Sequence, residues 1–205
     1  MRVLITAGPT REPIDAVRYI GNRSSGRMGA ALAEAAVNAG HQVTLILGPV
    51  SAAFANGLRR IDIETSGQMH EAVLVEFPAH DLLIMAAAVA DYRPKAVHAG
   101  KTPRQESLTI ECEATADILA GAGQIKRPDQ RTVGFSLELA GNIGRAREKL
   151  LRKKLDLIVY NTTETMNSES IEPSLLWPDG RVESLARLPK ARFAEALMAR
   201  ATELF

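Results

Sequence analysis

Short apolar runs alternate with helix-like segments along almost the whole chain, and this alternation restricts the fold more than any other feature. Val3–Thr6, His41–Leu47, Leu58–Thr65, Leu82–Val89, Thr132–Leu137 and Leu157–Tyr160 read as strands. Several lack a polar face, as expected of parallel strands covered by helices on both sides. Between and after them, Gly26–Ala39, Ser66–Phe77, Asp117–Lys126, Ile143–Leu155 and Ala191–Leu204 read as helices. Ser24 or Ser25 is the expected cap of the first helix and Gly40 its stop, with Ser66 capping the second. Leu108–Cys112 alternates as an edge strand would, which turns Cys112 toward the core. Pro178-Asp179-Gly180 inside Leu175–Leu185 predicts a β-hairpin. The pattern therefore predicts a single α/β domain over residues 1–205: a Rossmann-like, doubly wound, mainly parallel sheet with an added β-hairpin.

Composition narrows the function. Hydrophobic residues make up 46% of the chain, enough for a sizeable core, and the formal net charge of +1 gives no general attraction to nucleic acid or membrane. A single cysteine excludes an internal disulfide and a cysteine-ligated zinc site, and His41, His70, His80 and His98 show no metal-ligand spacing, so metal ligands stay unassigned. The N-terminal apolar run is short and ends in Gly8-Pro9, unlike a signal peptide. No stretch approaches the roughly 20 apolar residues of a membrane span. A cytoplasmic location is expected.

In a doubly wound sheet, ligands sit beyond the carboxyl ends of the strands. The loops after Thr6, Val89, Leu137 and Tyr160 are thus the expected places for chemistry. Ser24-Ser25-Gly26-Arg27-Met28-Gly29 opens the first helix. Exposed N–H groups at a helix start favour phosphate oxygens, and Gly26 would let a phosphate approach the backbone. Gly29 and the Ala30-Ala31 pair equally suit plain helix–sheet packing. A nicotinamide-dependent oxidoreductase of Rossmann type is the rival reading. Against it, residues 9–25 separate Gly8 from the helix, and the second strand ends Leu47-Gly48-Pro49 without the carboxylate that would hold a ribose. The polar, basic segment Lys95–Glu106 reads as a mobile loop or lid.

The stretch Ile5-Thr6-Ala7-Gly8-Pro9-Thr10-Arg11-Glu12-Pro13-Ile14-Asp15, continuing Val17-Arg18-Tyr19-Ile20-Gly21-Asn22-Arg23-Ser24-Ser25-Gly26-Arg27-Met28-Gly29, resembles the first signature of the phosphopantothenoylcysteine synthetases, or phosphopantothenate–cysteine ligases, of coenzyme A biosynthesis. Ala86-Ala87-Ala88-Val89-Ala90-Asp91-Tyr92-Arg93-Pro94, Val133-Gly134-Phe135 and Leu155-Asp156-Leu157-Ile158 resemble three further signatures, so the likeness runs from Arg2 to the last helix. The resemblance implies that the carboxylate of 4′-phosphopantothenate attacks the α-phosphorus of CTP (or ATP), releasing pyrophosphate. The amine of cysteine then displaces the nucleoside monophosphate from the acyl-nucleotide. It further implies Mg²⁺, a homodimer, and a flavin-dependent phosphopantothenoylcysteine decarboxylase as a fused or separate associate. Ser136-Leu137-Glu138-Leu139 and Tyr160-Asn161-Thr162-Thr163 depart from the commoner bacterial patterns of that family.

Site roles follow from the same resemblance, each beside a plainer reading. Asn22 would donate its amide to an oxyanion of the acyl-nucleotide, where spacing alone gives a turn asparagine. Arg18 would reach the substrate phosphate in the neighbouring subunit, where the alternative is a solvated arginine. Asp91, at the end of an apolar strand, would bind substrate or assist magnesium, and could instead cap a turn. Ala87 and Ala88 are small enough for a ligand to lie against their backbone. Lys101, Lys149 and Lys153 would hold the triphosphate and neutralise leaving pyrophosphate, although a basic helix whose buried side is Leu150, Leu151 and Leu155 is ordinarily a solvated face. Phe135 would abut the base, and is otherwise core. Asp117 and Ile118 belong to an expected base-contacting segment, where Asp117 is otherwise an N-cap. Asn161 would read base or ribose edges. Gly8, Ser24, Gly26 and Gly29 complete the expected nucleotide set.

Overall fold

The computed structural model describes residues 1–51, 54, 56–139, 141–165 and 168–205. Six strands form its parallel centre: β1 (Arg2–Ala7), β2 (Gln42–Leu47), β3 (Arg59–Asp62), β4 (Leu82–Met85), β5 (Arg131–Glu138) and β6 (Leu157–Thr162). They lie in the order β3-β2-β1-β4-β5-β6, and the antiparallel hairpin of β7 (Ser174–Leu176) and β8 (Val182–Ser184) extends the sheet beyond β6. The chain builds outward from β1 to β3, then returns to place β4 on the other side of β1. That reversal makes the carboxyl ends of β1 and β4 the switch point, where a crevice opens because the crossovers leave on opposite faces.

The expected fold class is therefore the observed one. β1 shows why it forms. Val3 and Ile5 face one apolar layer and Leu4 faces the other, all fully buried. Helices α1 (Arg27–Asn38) and α5 (Lys190–Thr202) cover the first face through Leu32, Ala36, Phe193 and Leu197. Helices α2 (Ser66–Glu76), α3 (Ile118–Ile125) and α4 (Ile143–Arg152) cover the second through Met69, Val73, Ile118 and Leu150. Among the described residues no helix is long and apolar enough to cross a membrane.

Several local expectations change. α1 is not capped by Ser24 or Ser25: its N-cap is Gly26, left-handed at φ 74°, a conformation that glycine adopts without steric cost. α2 is capped by Thr65, not Ser66. The Thr65 hydroxyl accepts from Gln68 N–H while the Gln68 side chain accepts from Thr65 N–H, and Ser66 N–H goes to the buried Glu12 carboxylate at 2.8 Å. The third strand is shorter than Leu58–Thr65. The fourth stops at Met85, because beyond it the regular ladder breaks: Ala86 still bonds to Thr6 of β1, but Ala88 bonds to Gly8 and Thr10 of the loop that follows β1. Cys112 is exposed, since its strand is Cys112–Ala114, paired only with Tyr92–Pro94 in a two-stranded ribbon. Leu151 is exposed, while Leu150 and Leu155 are buried as expected; α4 ends at Arg152 and so Leu155 packs from the following turn.

Candidate active site

The switch point is held together by threonines that the core would otherwise leave unpaired. Beyond β4, Ala86 N–H donates to the Thr6 carbonyl and Ala87 N–H to the Thr6 hydroxyl, at 3.2 and 3.3 Å. Ala88 N–H donates to the Gly8 carbonyl at 2.9 Å, Thr10 N–H to the Ala88 carbonyl at 3.2 Å, and Ala90 N–H to the Thr10 hydroxyl at 2.9 Å. These bonds satisfy buried polar groups and tie the small-residue segment against the end of β1. Gly8 therefore does not line the cleft. It is buried against Gly48 and supplies the carbonyl that anchors Ala88.

A cleft of about 600 Å³ opens above this anchor. Its floor is Ala86–Val89, one wall is the turn Gly21–Gly29, and the other holds Phe135 and Asn161. α1 begins at this wall, and its first-turn N–H groups lack intrahelical partners, so its positive end faces the cleft. Gly29 lets the helix come this close: a Cβ there would lie 2.2 Å from the Ala7 Cβ. The packing reading and the phosphate reading of Gly29 are thus compatible. The Ser24 hydroxyl accepts weakly from Gly26 N–H at 3.4 Å and keeps its own hydrogen to donate.

A second cleft of about 500 Å³ shares Ala87, Val89, Asp91 and Phe135 with the first and continues over Thr115–Leu119, Lys149, Arg152 and Lys153. Asp91 thus touches both. Lys149 is bonded to Glu138 at 2.6 Å and to the Ser136 hydroxyl at 3.2 Å. Lys153 caps α4 and pairs with Asp117 at 2.9 Å, while Asp117 also caps α3 by accepting from Ala120 N–H at 3.1 Å. Asp117 is thus the N-cap of α3 and also lines the second cleft. Burial raises the pKa values of Glu138 and Asp117, but the hydrogen bonds from Lys149 and Ser136, and from Lys153 and Ala120, outweigh it and leave both carboxyls below their ordinary values. Both carboxyls are therefore ionised at neutral pH.

Asn22 stands at the rim of the first cleft. Its Nδ2 donates to the Val89 carbonyl at 2.8 Å, which defines which end of the amide is nitrogen and leaves one N–H open. Arg18 and Lys101 lie apart from both clefts. Arg18 is clamped to the buried Asp15 carboxylate, and it also donates to the Thr102 carbonyl at 3.0 Å. Thr102 N–H donates to Asp15 as well, at 3.1 Å, so the loop carrying Lys101 is moored beside Arg18. The hydrogen bonds from Arg18 and from the Val17 N–H hold the Asp15 carboxyl far below its ordinary range. The cleft also contains residues that the motifs did not single out for a role: Arg23, Arg27 and Lys190. Lys190 is the first residue of α5, and only the three-dimensional return of that helix to the β1 end brings it here.

A Rossmann-like sheet whose switch-point crevice brings together a helix N-terminus, an oriented amide and a carboxylate defines the class of α/β domain that takes ligands beyond its strand ends. The chain belongs to the DNA/pantothenate metabolism flavoprotein C-terminal domain family, whose model matches residues 1–204. It is 43% identical over 204 residues to the coenzyme A biosynthesis bifunctional protein CoaBC of Vibrio cholerae, covering 96% of this chain and 51% of that protein. The Escherichia coli K12 CoaBC is 42% identical over 188 residues, or 88% of this chain and 46% of that protein. The chain thus spans about half the length of the curated relatives it matches. The crystal structure of a CoaBC C-terminal domain superposes with TM-score 0.85 at 39% identity, covering 97% of this chain and 92% of that one.

Proposed function

We propose that the domain is a phosphopantothenate–cysteine ligase acting through an acyl-nucleotide. The observation that carries this reading is the meeting of the anion cradle at Ser24–Gly29, the Asn22 amide and Asp91 around connected clefts, in a chain of the CoaBC C-terminal family. A triphosphate lies on the cradle, where α1 N–H groups and the Ser24 hydroxyl donate to its oxygens. The base rests across Phe135 toward Asp117 and Ile118, with Asn161 at its edge. Ala87 and Ala88 form the floor on which the pantothenate chain lies.

In the first step a carboxylate oxygen of 4′-phosphopantothenate forms a bond to the α-phosphorus, and the bond to the pyrophosphate bridge breaks. In the second, the amine of cysteine attacks the acyl carbon and the nucleoside monophosphate leaves with the former carboxylate oxygen. Charge accumulates on the acyl and phosphoryl oxygens in both steps. The open N–H of Asn22, already aimed by Val89, stabilises that charge without reorganising. Lys101 comes to the phosphates with its loop, and Lys149 and Lys153 hold the base side of the nucleotide.

Magnesium suits this site as a passenger on the triphosphate. No group of three or more His, Cys, Asp or Glu side chains gathers as a metal cage among the described residues, but one carboxylate plus phosphate oxygens is a common Mg²⁺ arrangement, and Asp91 supplies that carboxylate. Val17, Tyr19, Tyr92, Val97 and Leu108 leave apolar surface exposed around the Lys95–Glu106 loop and the hairpin of Arg11–Pro13 and Tyr19–Gly21 that carries Arg18, which favours a homodimer through this side. Such a dimer would offer Arg18 to the partner's phosphopantothenate. Coenzyme A synthesis also implies association with the decarboxylase that consumes the product.

The test is pyrophosphate release with 4′-phosphopantothenate, Mg²⁺ and CTP or ATP. Pyrophosphate should form only when acid and nucleotide are both present, and cysteine should raise turnover. Oxidation of NADH without pyrophosphate would sink the ligase reading.

A further inference from the structure

The cations expected to hold the triphosphate are not on the side of the cradle. Lys149 and Lys153 line the second cleft, beyond the partition formed by Ala87, Val89, Asp91 and Phe135, and each is already neutralised by a carboxylate. Lys101 lines neither cleft. A triphosphate lying on Ser24–Gly29 would carry several negative charges, more than one helix end offsets at about half a unit charge.

The first cleft contains its own cations. Of its three basic residues, Arg27 pairs with Glu169 at 2.5 Å, and Arg23 is exposed at the rim. Lys190 is half-buried and, among the described residues, its ammonium makes no hydrogen bond and no ion pair. The start of α5 is set independently of that side chain, because the Lys190 backbone N–H donates to the Glu169 carbonyl at 3.0 Å. Among the described residues, Asp91 is the sole acid lining this cleft, against three basic side chains.

We propose that Lys190 is a phosphate-binding residue of the nucleotide site, its ammonium meeting the β- and γ-phosphate oxygens of a triphosphate laid on the glycine turn. The assignment rests on the reading that the cleft holds a nucleoside triphosphate, and adds to it the residue that distinguishes triphosphate from monophosphate. Burial and the neighbouring Arg27 both disfavour the charged ammonium, and Glu169 opposes them only in part. An arriving polyphosphate removes that penalty as it binds, so part of its binding energy comes from relieving a cation that Glu169 offsets only in part. The chemistry asks for a polyphosphate: with the base beside Phe135, only a nucleotide with β- and γ-phosphates carries further oxyanions for the Lys190 ammonium to meet.

The experiment measures equilibrium binding of CTP and ATP with Mg²⁺, and of CMP and AMP, to the whole chain and to Lys190→Met and Lys190→Arg. Methionine keeps the apolar stem and removes the charge; Lys190→Gln serves the same comparison if the methionine variant does not fold. Because hydrogen bonds to charged groups are the stronger kind, the neutral variants should lose about tenfold or more in triphosphate affinity. Monophosphate affinity should stay within about twofold, and Lys190→Arg should keep most triphosphate affinity, since the charge remains. Triphosphate binding left intact in the neutral variants, or an equal loss for mono- and triphosphates, overturns the assignment while the nucleotide reading stands. Failure of the parent chain to bind any of the four nucleotides overturns both.

Discussion

Replacing Asn22 by aspartate is the sharpest perturbation of the proposed mechanism. In the structure, one amide hydrogen is committed to the Val89 carbonyl at 2.8 Å and the other is open. Aspartate has the same shape, no donor and a negative charge. It would face the Val89 carbonyl oxygen on one side and the reacting oxygens on the other, so both interactions change sign. Removing one oxyanion donor costs about 2.7–4 kcal/mol in a comparable site, a loss of roughly a hundredfold to a thousandfold in rate. The added repulsion should place Asn22→Asp at or beyond the upper end. Asn22 is exposed, and its side chain is tied to the fold through the bond to the Val89 carbonyl, so the cost to folding should be limited to that bond. Nucleotide binding should survive on the cradle. The assay pairs steady-state pyrophosphate release with direct nucleotide binding. Near-normal turnover would refute the reasoning and return Asn22 to the role of a turn residue.

Three further outcomes follow from the geometry. Gly29→Ala drives a Cβ into Ala7, forcing α1 off β1; overpacking of this kind costs about 1–3 kcal/mol, to be seen as a lower urea midpoint. The Asp15 carboxyl is depressed below its ordinary value of 3.8, so its stabilisation is present above that pH and lost as pH falls further toward the folded value. Asp15→Asn should therefore flatten the loss of stability between mildly and strongly acidic pH, measured as urea midpoints along that range, and equal slopes would count against the clamp. Nucleotide with Mg²⁺ should slow hydrogen exchange across Lys95–Glu106 if that loop closes with Lys101; identical exchange with and without ligand removes the lid.

The sheet was legible because its cause is local: apolar runs too continuous for a one-sided strand, punctuated by Gly40, Gly48 and the Gly26 turn. The glycine turn that opens α1 was legible for the same reason, since six consecutive residues carry it. The details that sequence missed depend on contacts distant along the chain. β4 ends early because Thr6, Gly8 and Thr10 capture the following backbone. Lys149 and Lys153 read as two cations on one helix face, yet Glu138 and Asp117 neutralise them from a strand and a separate helix cap. Arg18 read as a loop arginine because nothing local signals that Asp15 is buried beneath it. Lys190 carries no motif, and its position depends on where α5 returns to the sheet.

The acyl-nucleotide itself is tested most directly by oxygen transfer. 4′-Phosphopantothenate labelled with ¹⁸O in its carboxylate is turned over with cysteine, Mg²⁺ and CTP or ATP, and the products are weighed by mass spectrometry. Attack of the carboxylate on the α-phosphorus, followed by departure of the nucleotide from the acyl carbon, must leave one ¹⁸O in the nucleoside monophosphate. Label in that product and none in pyrophosphate is the predicted result. Unlabelled nucleoside monophosphate, or label in inorganic phosphate with a nucleoside diphosphate as coproduct, would contradict it.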